Sequence, residues 1–401
     1  MSFPERALAL LQQDSRLQRT TAGSSVRFAF VNDTDRMCIR VAEGHVESSE
    51  EADFTLSAPD AVWARLISAH PEPGEQHVLP QLRSGTMTLE GDARAFERHL
   101  HVVRRAVEAL RPRSGASSAS RPRRQTLRGE YVRIESSAGS SDVFVERAGC
   151  GPQLLCLATA GSDTTQFHGL ITDTDIADRF ELIAFDLPWH GKSVPPAGVD
   201  PLAYSLTPEL YTELIIATAD ALELERPILV GASMGGAAVV RAIALHPERF
   251  AGAVSCQAAK DVAGRATPAA RATDVDQTLF SPEWTYGLMN PASPQQHRDR
   301  VWWGYSSGAH GVYIGDIEGY QQWDFTAVSA KFTPSSPHIA VLSGVYDTSV
   351  PPERSEELAA SIPNASFERM PQLGHFPHAE NPQEFWSHLQ PALERVLAHR
   401  P

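Results

Sequence analysis

Pro-Ile-Leu-Val-Gly-Ala-Ser-Met-Gly-Gly, residues 227–236, decides the fold. The apolar run Ile228-Leu229-Val230 predicts a buried strand, and Ala237-Ala238-Val239-Val240-Arg241-Ala242-Ile243-Ala244-Leu245 predicts a helix. Between them, Gly231-Ala232-Ser233-Met234-Gly235 fits the G-x-S-x-G pattern of a serine on a sharp strand-to-helix turn. Such a turn needs neighbours without bulky Cβ substituents, so that strand and helix can approach. It also sets the hydroxyl at the positive end of a helix, where developing negative charge is favoured.

The stretch gains meaning from an acid and a histidine downstream. Pro337-His338-Ile339-Ala340-Val341-Leu342-Ser343 predicts a second strand, which opens into Gly344-Val345-Tyr346-Asp347 and is closed by Pro351-Pro352. Ser366–Met370 predicts a short strand, followed by Leu373-Gly374-His375-Phe376-Pro377. The chain order is therefore Ser233, Asp347, His375, each just past a strand's carboxyl end. The competing readings are an ordinary turn serine at 233, a turn-forming aspartate ahead of Pro351, and a histidine with a structural role at 375.

On these three motifs, the sequence from about 128 to 399, within an expected domain of 128–401, resembles an α/β-hydrolase-fold enzyme, a mostly parallel sheet with helices on both faces and a helical lid. The resemblance implies Ser233 as nucleophile, His375 as general base and then acid, and Asp347 as the group that fixes the imidazole tautomer. It implies an oxyanion hole built from two backbone N–H groups, one from Met234. The second comes from the loop after Gln153-Leu154-Leu155-Cys156-Leu157. Many relatives carry a His-Gly pair there. Here the loop reads Ala158-Thr159-Ala160-Gly161-Ser162-Asp163, which leaves Ala160 as the expected donor. The stretch Asp186-Leu187-Pro188-Trp189-His190-Gly191-Lys192-Ser193 resembles the family's rim motif, where the polar residue before glycine is mostly structural. His378 reads as a solvated loop residue.

Substrate contacts are expected from an insertion at about 258–330, read as the lid. It holds four of the chain's seven tryptophans. Trp284, Trp302, Trp303, Tyr313 and Trp323 are the candidate lining residues, since aromatic side chains line ligand pockets. The expected reaction is hydrolysis of a carboxylic ester or lactone with an apolar or ring-bearing portion. The alternatives are carbon–carbon cleavage of a β-diketone-like ring-fission product, perhydrolase chemistry, and a non-catalytic lipid-binding role on the same scaffold.

Composition fits a globular enzyme. The chain has 401 residues, enough for two domains, and a net charge of −14, which argues against nucleic-acid partners. No cofactor is expected, and no metal, because His-x-x-x-His and paired-cysteine spacings are lacking. Cys38, Cys150, Cys156 and Cys256 are scattered and read as reduced thiols. The opening Met1-Ser2-Phe3-Pro4-Glu5-Arg6 has no basic-then-apolar layout, and no apolar run is long enough to span a bilayer, so the expected location is the cytoplasm. A homo-oligomer remains open.

Residues 111–127 are rich in Ser, Pro and Arg and predict a flexible linker. Upstream, residues 1–110 predict a small α+β domain. Val26–Val31, Met37–Val41 and Phe54–Leu56 read as strands, Ala58-Pro59-Asp60 as a helix start, and Ala95–Leu110 as a closing helix. The stretch from Ala52 to Leu110, with its helix tryptophan Trp63 and Ser84-Gly85…Gly91-Asp92, resembles the sterol-carrier-protein-like lipid-binding domains. That resemblance implies an apolar tunnel able to hold a lipid. The competing reading is a packing or oligomerisation domain with a filled core.

Overall fold

The computed structural model of the chain describes residues 3–112, 126–200, 202–262 and 267–399. The chain divides into two compact units, one of Met1–Ala116 with Pro268–Ala292 and one of Ser117–Thr267 with Ser293–Pro401. The linker expected at 111–127 falls, from 113 to 125, outside the described residues.

In chain order the first unit contains α1 (Phe3–Gln13), α2 (Ser15–Thr20), β1 (Ser25–Val31), β2 (Arg36–Ala42), β3 (His45–Ser48), β4 (Phe54–Ser57), α3 (Asp60–Leu66), α4 (Val78–Ser84), β5 (Thr88–Gly91), α5 (Ala93–Arg98) and α6 (Leu100–Leu110). The second unit runs through β6 (Arg128–Ser136), β7 (Gly139–Gly149), β8 (Gln153–Leu157), α7 (His168–Asp173), β9 (Glu181–Phe185), α8 (Pro208–Ala221), β10 (Ile228–Ala232), α9 (Met234–Leu245) and β11 (Gly252–Cys256). α10 (Gln277–Tyr286) then returns to the first unit. The second resumes with α11 (Gln295–Ser306), α12 (Val312–Tyr320), α13 (Thr326–Ser329), β12 (Ile339–Gly344), α14 (Pro352–Ala360), β13 (Ala365–Met370), α15 (Pro377–Glu380) and α16 (Pro382–Ala398). Among the described residues no helix is long and apolar enough to cross a membrane.

The first unit is a five-stranded sheet in the order β3-β2-β1-β4-β5, antiparallel except for β1 against β4. Alternation along β1 turns Phe28 and Phe30 to the same face. A chain of rings covers it: Phe96 edge-on to Phe54 at 5.6 Å, Phe54 stacked on Phe28 at 5.5 Å, Phe28 against Phe30 at 5.2 Å, and Phe30 against Trp63 at 4.9 Å. The Trp63 indole N–H is satisfied by the Val31 carbonyl at 2.8 Å. A pocket lined by Phe30, Met37, Trp63, Ile67 and Leu110 opens at the Trp63 end of this chain. The closing helix expected as one piece is two, α5 and α6, parted at His99.

α10 completes this unit. Glu283, fully buried, pairs with the buried Arg104 of α6: Arg104 Nη2 donates to Oε1 at 2.8 Å and Nε to Oε2. The same guanidinium lies 4.1 Å from the centre of the Tyr286 ring, and Gln76 Nε2 donates to the Gly287 carbonyl at 3.2 Å. The insertion expected as one lid is therefore divided, with Pro268–Ala292 packed into the first unit. Trp284, expected among the substrate contacts, belongs there too, stacked on Phe280 at 5.7 Å. The physical reason is the Arg104–Glu283 pair, since neither charge could be buried alone.

Two imidazoles of this unit are held neutral. Burial pushes His77 down to about 3, with the Arg104 charge adding to it, and burial pushes His101 down to about 4. His77 Nδ1 accepts the Leu79 N–H at 3.2 Å and so caps α4. Above the ordinary imidazole value of 6.5 neither state is protonated and these groups contribute nothing to pH dependence. Below it the unfolded chain binds protons that the folded unit refuses, so stability falls as pH drops from 6.5 toward 3–4. Between pH 7.5 and 5 the expected loss from these two groups is about 4 kcal/mol. Urea midpoints at the two pH values check it; equal midpoints contradict the neutral-histidine account.

The second unit carries an eight-stranded sheet in the order β13-β12-β11-β10-β8-β9-β7-β6. The strands from β13 to β9 are parallel, while β7 and β6 are antiparallel to their neighbours. The parallel strands read as continuous apolar runs because both faces are covered. α7 and α16 bury the face carrying Leu154, Cys156, Val230, Val254 and Leu342. α9 packs on β10 and β11 and against α8. α8 begins where it does because Thr207 Oγ1 accepts the Leu210 N–H at 3.1 Å and Pro208 fills the first turn. This is the α/β-hydrolase fold, preceded by a smaller unit with its own sheet.

Candidate active site

Ser233 lies between β10 and α9 with φ 57° and ψ −119°, a conformation L-residues seldom adopt. The surrounding glycines make the turn sterically feasible. A Cβ on Gly231 would meet the Gly235 carbonyl oxygen at 2.4 Å, and one on Gly236 would meet the Cys256 carbonyl oxygen at 2.3 Å. The Ser233 N–H donates to that Cys256 oxygen at 2.9 Å, tying the turn to β11. The serine is 2% exposed.

Asp347 follows β12 in a turn that its own carboxylate organises: Oδ1 accepts the N–H groups of Ser349 at 2.7 Å and Val350 at 3.0 Å. Its other oxygen, Oδ2, is 2.6 Å from His375 Nδ1. A carboxylate only accepts, so Nδ1 carries the proton and Nε2 is left with the lone pair. The imidazole is buried, with Phe376 edge-on at 4.9 Å.

Two residues that sequence reasoning missed hold the histidine loop. Glu380, fully buried, accepts the Gly374 N–H at 2.7 Å and the Phe376 N–H at 3.4 Å, bracketing His375. Gln257, at φ 47° just past β11, donates from Nε2 to the Gly374 carbonyl at 3.1 Å. No periodicity or turn signature marks either one. His378 is buried rather than solvated. Its Nε2 lies 3.2 Å from Gln166 Oε1, its ring stacks on Phe167 at 4.8 Å, and burial, with the nearby His375, pushes it down to about 3.

The loop after β8 has an orderly hydrogen-bond inventory. The Thr159 N–H donates to Gln166 Oε1 at 3.1 Å, the Gly161 N–H to Asp316 Oδ2 at 2.6 Å, and the Ser162 N–H to the Thr159 carbonyl at 3.1 Å. The Ala160 N–H between them has no acceptor among the described residues. Met234 opens α9, so its N–H lacks an intrahelical partner as well.

The remaining aromatic candidates differ in placement. Tyr313 is half-buried and borders Gly161, where an added Cβ would strike it at 2.7 Å. Trp323 is buried, its N–H donating to the Ala259 carbonyl at 2.8 Å. It joins Met234, Ala237, Tyr211, Leu206 and Tyr320 in lining an apolar pocket. Trp302 is half-buried, whereas Trp303 is 66% exposed and faces solvent rather than a pocket. Among the described residues no cluster of three or more His, Cys, Asp or Glu could hold a metal ion.

Known proteins bear out the architecture. The chain is similar to a solved esterase from Thermogutta terrifontis, with 22% identity, a TM-score of 0.56, and 67% of this chain and 99% of that one covered. It is similar to the enol-lactonase of Burkholderia xenovorans LB400, with 17% identity, a TM-score of 0.56, and 66% and 100% covered. A relative from Mycobacterium phage D29, whose name assigns it provisionally to the non-heme haloperoxidases, is 35% identical over 118 residues, 29% of this chain. The match spans 40% of that relative's length. Residues 156–387 match the family model described as the alpha/beta hydrolase family, more than half of the chain. The chain belongs to the alpha/beta hydrolase family.

Proposed function

We propose that this protein is a serine hydrolase that cleaves a carboxylic ester or lactone through an acyl-enzyme on Ser233. The observation that carries the reading is the 2.6 Å contact between His375 Nδ1 and Asp347 Oδ2 at the carboxyl edge of the same parallel sheet whose β10 presents Ser233 on a strained turn. Asp347 fixes the tautomer in which Nε2 can take the Ser233 proton. The serine oxygen attacks the substrate carbonyl, and the oxyanion is met by the N–H groups of Met234 and Ala160. His375 returns the proton to the leaving alkoxide, then activates water to release the acid. Written this way, the reaction needs no cofactor.

The apolar pocket beside Met234 supports a substrate with an apolar acyl or ring portion, and α11–α13 would form the lid over it. The esterase and enol-lactonase among the solved neighbours are consistent with that class. A fluorophosphonate probe tests the chemistry directly. It is expected to modify the folded protein at Ser233, located by mass spectrometry of the peptide carrying it. A folded protein that takes no label at Ser233 overturns the reading. Nitrophenyl esters of graded chain length, with lactones alongside, then define the substrate.

A further inference from the structure

Asp316 is a carboxylate with 0% exposure in the middle of α12, far in sequence from everything it touches. Three groups from other elements converge on it. Oδ2 accepts the Gly161 N–H at 2.6 Å and faces His190 Nε2 at 2.8 Å, while Oδ1 accepts the Tyr204 hydroxyl. A buried carboxylate with this many donors is a built feature, because an unsatisfied one would be prohibitively costly.

The partners fix the charge state. His190 Nδ1 lies 3.0 Å from the Pro188 carbonyl oxygen, and Nε2 faces the Asp316 carboxylate. Both are acceptors, and a neutral imidazole has a single N–H, so His190 donates from both nitrogens as an imidazolium. Burial alone would lower its pKa, but Asp316, the Pro188 carbonyl and Asp186 together raise it. The other titratable groups that feel the Asp316 charge are Tyr204, whose ring stands edge-on to His190 at 5.5 Å, Tyr211 and Tyr305. Burial and Asp316 raise the pKa of all three phenols, so they stay protonated. Asp186, pushed up to about 6 by burial, accepts the N–H groups of Thr164 and Lys192.

We propose that Asp316 is a positioning residue for the reaction: by holding the Gly161 N–H, with His190 and Tyr204 holding its carboxylate, it aims the neighbouring Ala160 N–H at the oxyanion. The proposal rests on the reading of Ser233 as nucleophile. The loop is gripped on both sides of Ala160. Thr159 is fixed by Gln166 and by Tyr305, whose hydroxyl is 2.7 Å from Thr159 Oγ1. Gly161 has φ +70° and is packed so closely on α12 that a Cβ would come within 3.0 Å of the Tyr313 Cα. Asp316 supplies the polar anchor at the point where α12 touches the loop. An oxyanion donor works only within hydrogen-bond distance of the developing charge, and a misplacement of about 1 Å can cost about 10²-fold in rate.

The test compares Asp316→Ala, Asp316→Asn and Tyr204→Phe with the parent in ester hydrolysis, tetrahedral boronate inhibition and fluorophosphonate labelling. Asp316→Ala is expected to lower kcat about 10²-fold, to weaken the boronate by a similar factor, and to leave KM within about twofold. Ser233 is still the labelled residue, at a slower rate. Asp316→Asn, whose amide oxygen can still accept the Gly161 N–H, recovers part of kcat. Without its carboxylate partner His190 loses its proton more easily, so the basic limb of the pH profile moves to lower pH. Wild-type kcat in folded Asp316→Ala overturns the proposal, as does a loss confined to KM. If Asp316→Ala does not fold, Tyr204→Phe decides, with reduced kcat at unchanged KM supporting the proposal and unchanged kcat overturning it. Ester turnover retained in Ser233→Ala, with no label on Ser233 in the parent, marks failure of the hydrolase reading itself rather than of the Asp316 anchor.

Discussion

Ser233→Ala should reduce ester turnover by about 10⁴-fold or more, and His375→Ala by a comparable factor. Without the hydroxyl no acyl-enzyme can form, and without the imidazole the hydroxyl stays a poor nucleophile at neutral pH. Asp347→Asn should leave the fold intact yet cost about 10⁴-fold. An amide in that place can donate toward Nδ1, which favours the tautomer with its proton on Nε2, the wrong nitrogen for a base. The three groups act as one unit, so Ser233→Ala combined with His375→Ala should be little worse than either alone. Steady-state hydrolysis of a nitrophenyl ester, corrected for the buffer rate, measures all four. A single variant within tenfold of the parent contradicts the assignment of its residue.

The second large effect concerns stability. Glu283→Ala should destabilise the first unit by about 3–5 kcal/mol, because it leaves the Arg104 guanidinium buried without its carboxylate. Glu108 remains 2.8 Å from Arg104 Nη1 and offsets only part of the loss. Replacing both members, Arg104→Met with Glu283→Leu, should recover much of it, since an apolar pair of similar volume removes two desolvation penalties together. Urea denaturation of the parent, Arg104→Met, Glu283→Leu and the variant carrying both forms a double-mutant cycle with an expected coupling energy well above 1 kcal/mol. Additive losses would show that the two side chains do not depend on each other.

The strands and turns that present Ser233, Asp347 and His375 were legible because each has a local signature. An apolar run ends in small or turn-forming residues, and the glycine spacing at 231–236 leaves few conformations open. The loop after β8 was legible by position, through the strand before it. Asp316 was not, because it sits within a helix in no motif, and its partners at 161, 190 and 204 become neighbours only when the sheet and the insertion fold. His378 was misread for a related reason: a residue after Pro377 looks like open loop until Phe167 and Gln166 close over it. The division of the insertion was equally hidden. Arg104 and Glu283 are 179 residues apart, and nothing local to α10 tells it from the helices that follow. Buried polar contacts between distant segments are what a one-dimensional pattern does not carry.

The place of α10 bears on the order in which the molecule can be made. A leading domain ordinarily folds while the rest of the chain is still being synthesised. Here about 175 further residues must be polymerised after Leu110 before Tyr286 exists to close over Arg104. At ribosomal rates that is a wait of roughly 10–35 s, with the Arg104 guanidinium lacking Glu283 and held by Glu108 alone, and with the α10-facing surface of α6 uncovered throughout. The amino-terminal unit thus reaches its final state late, and a truncated chain ending anywhere before residue 286 carries it unfinished.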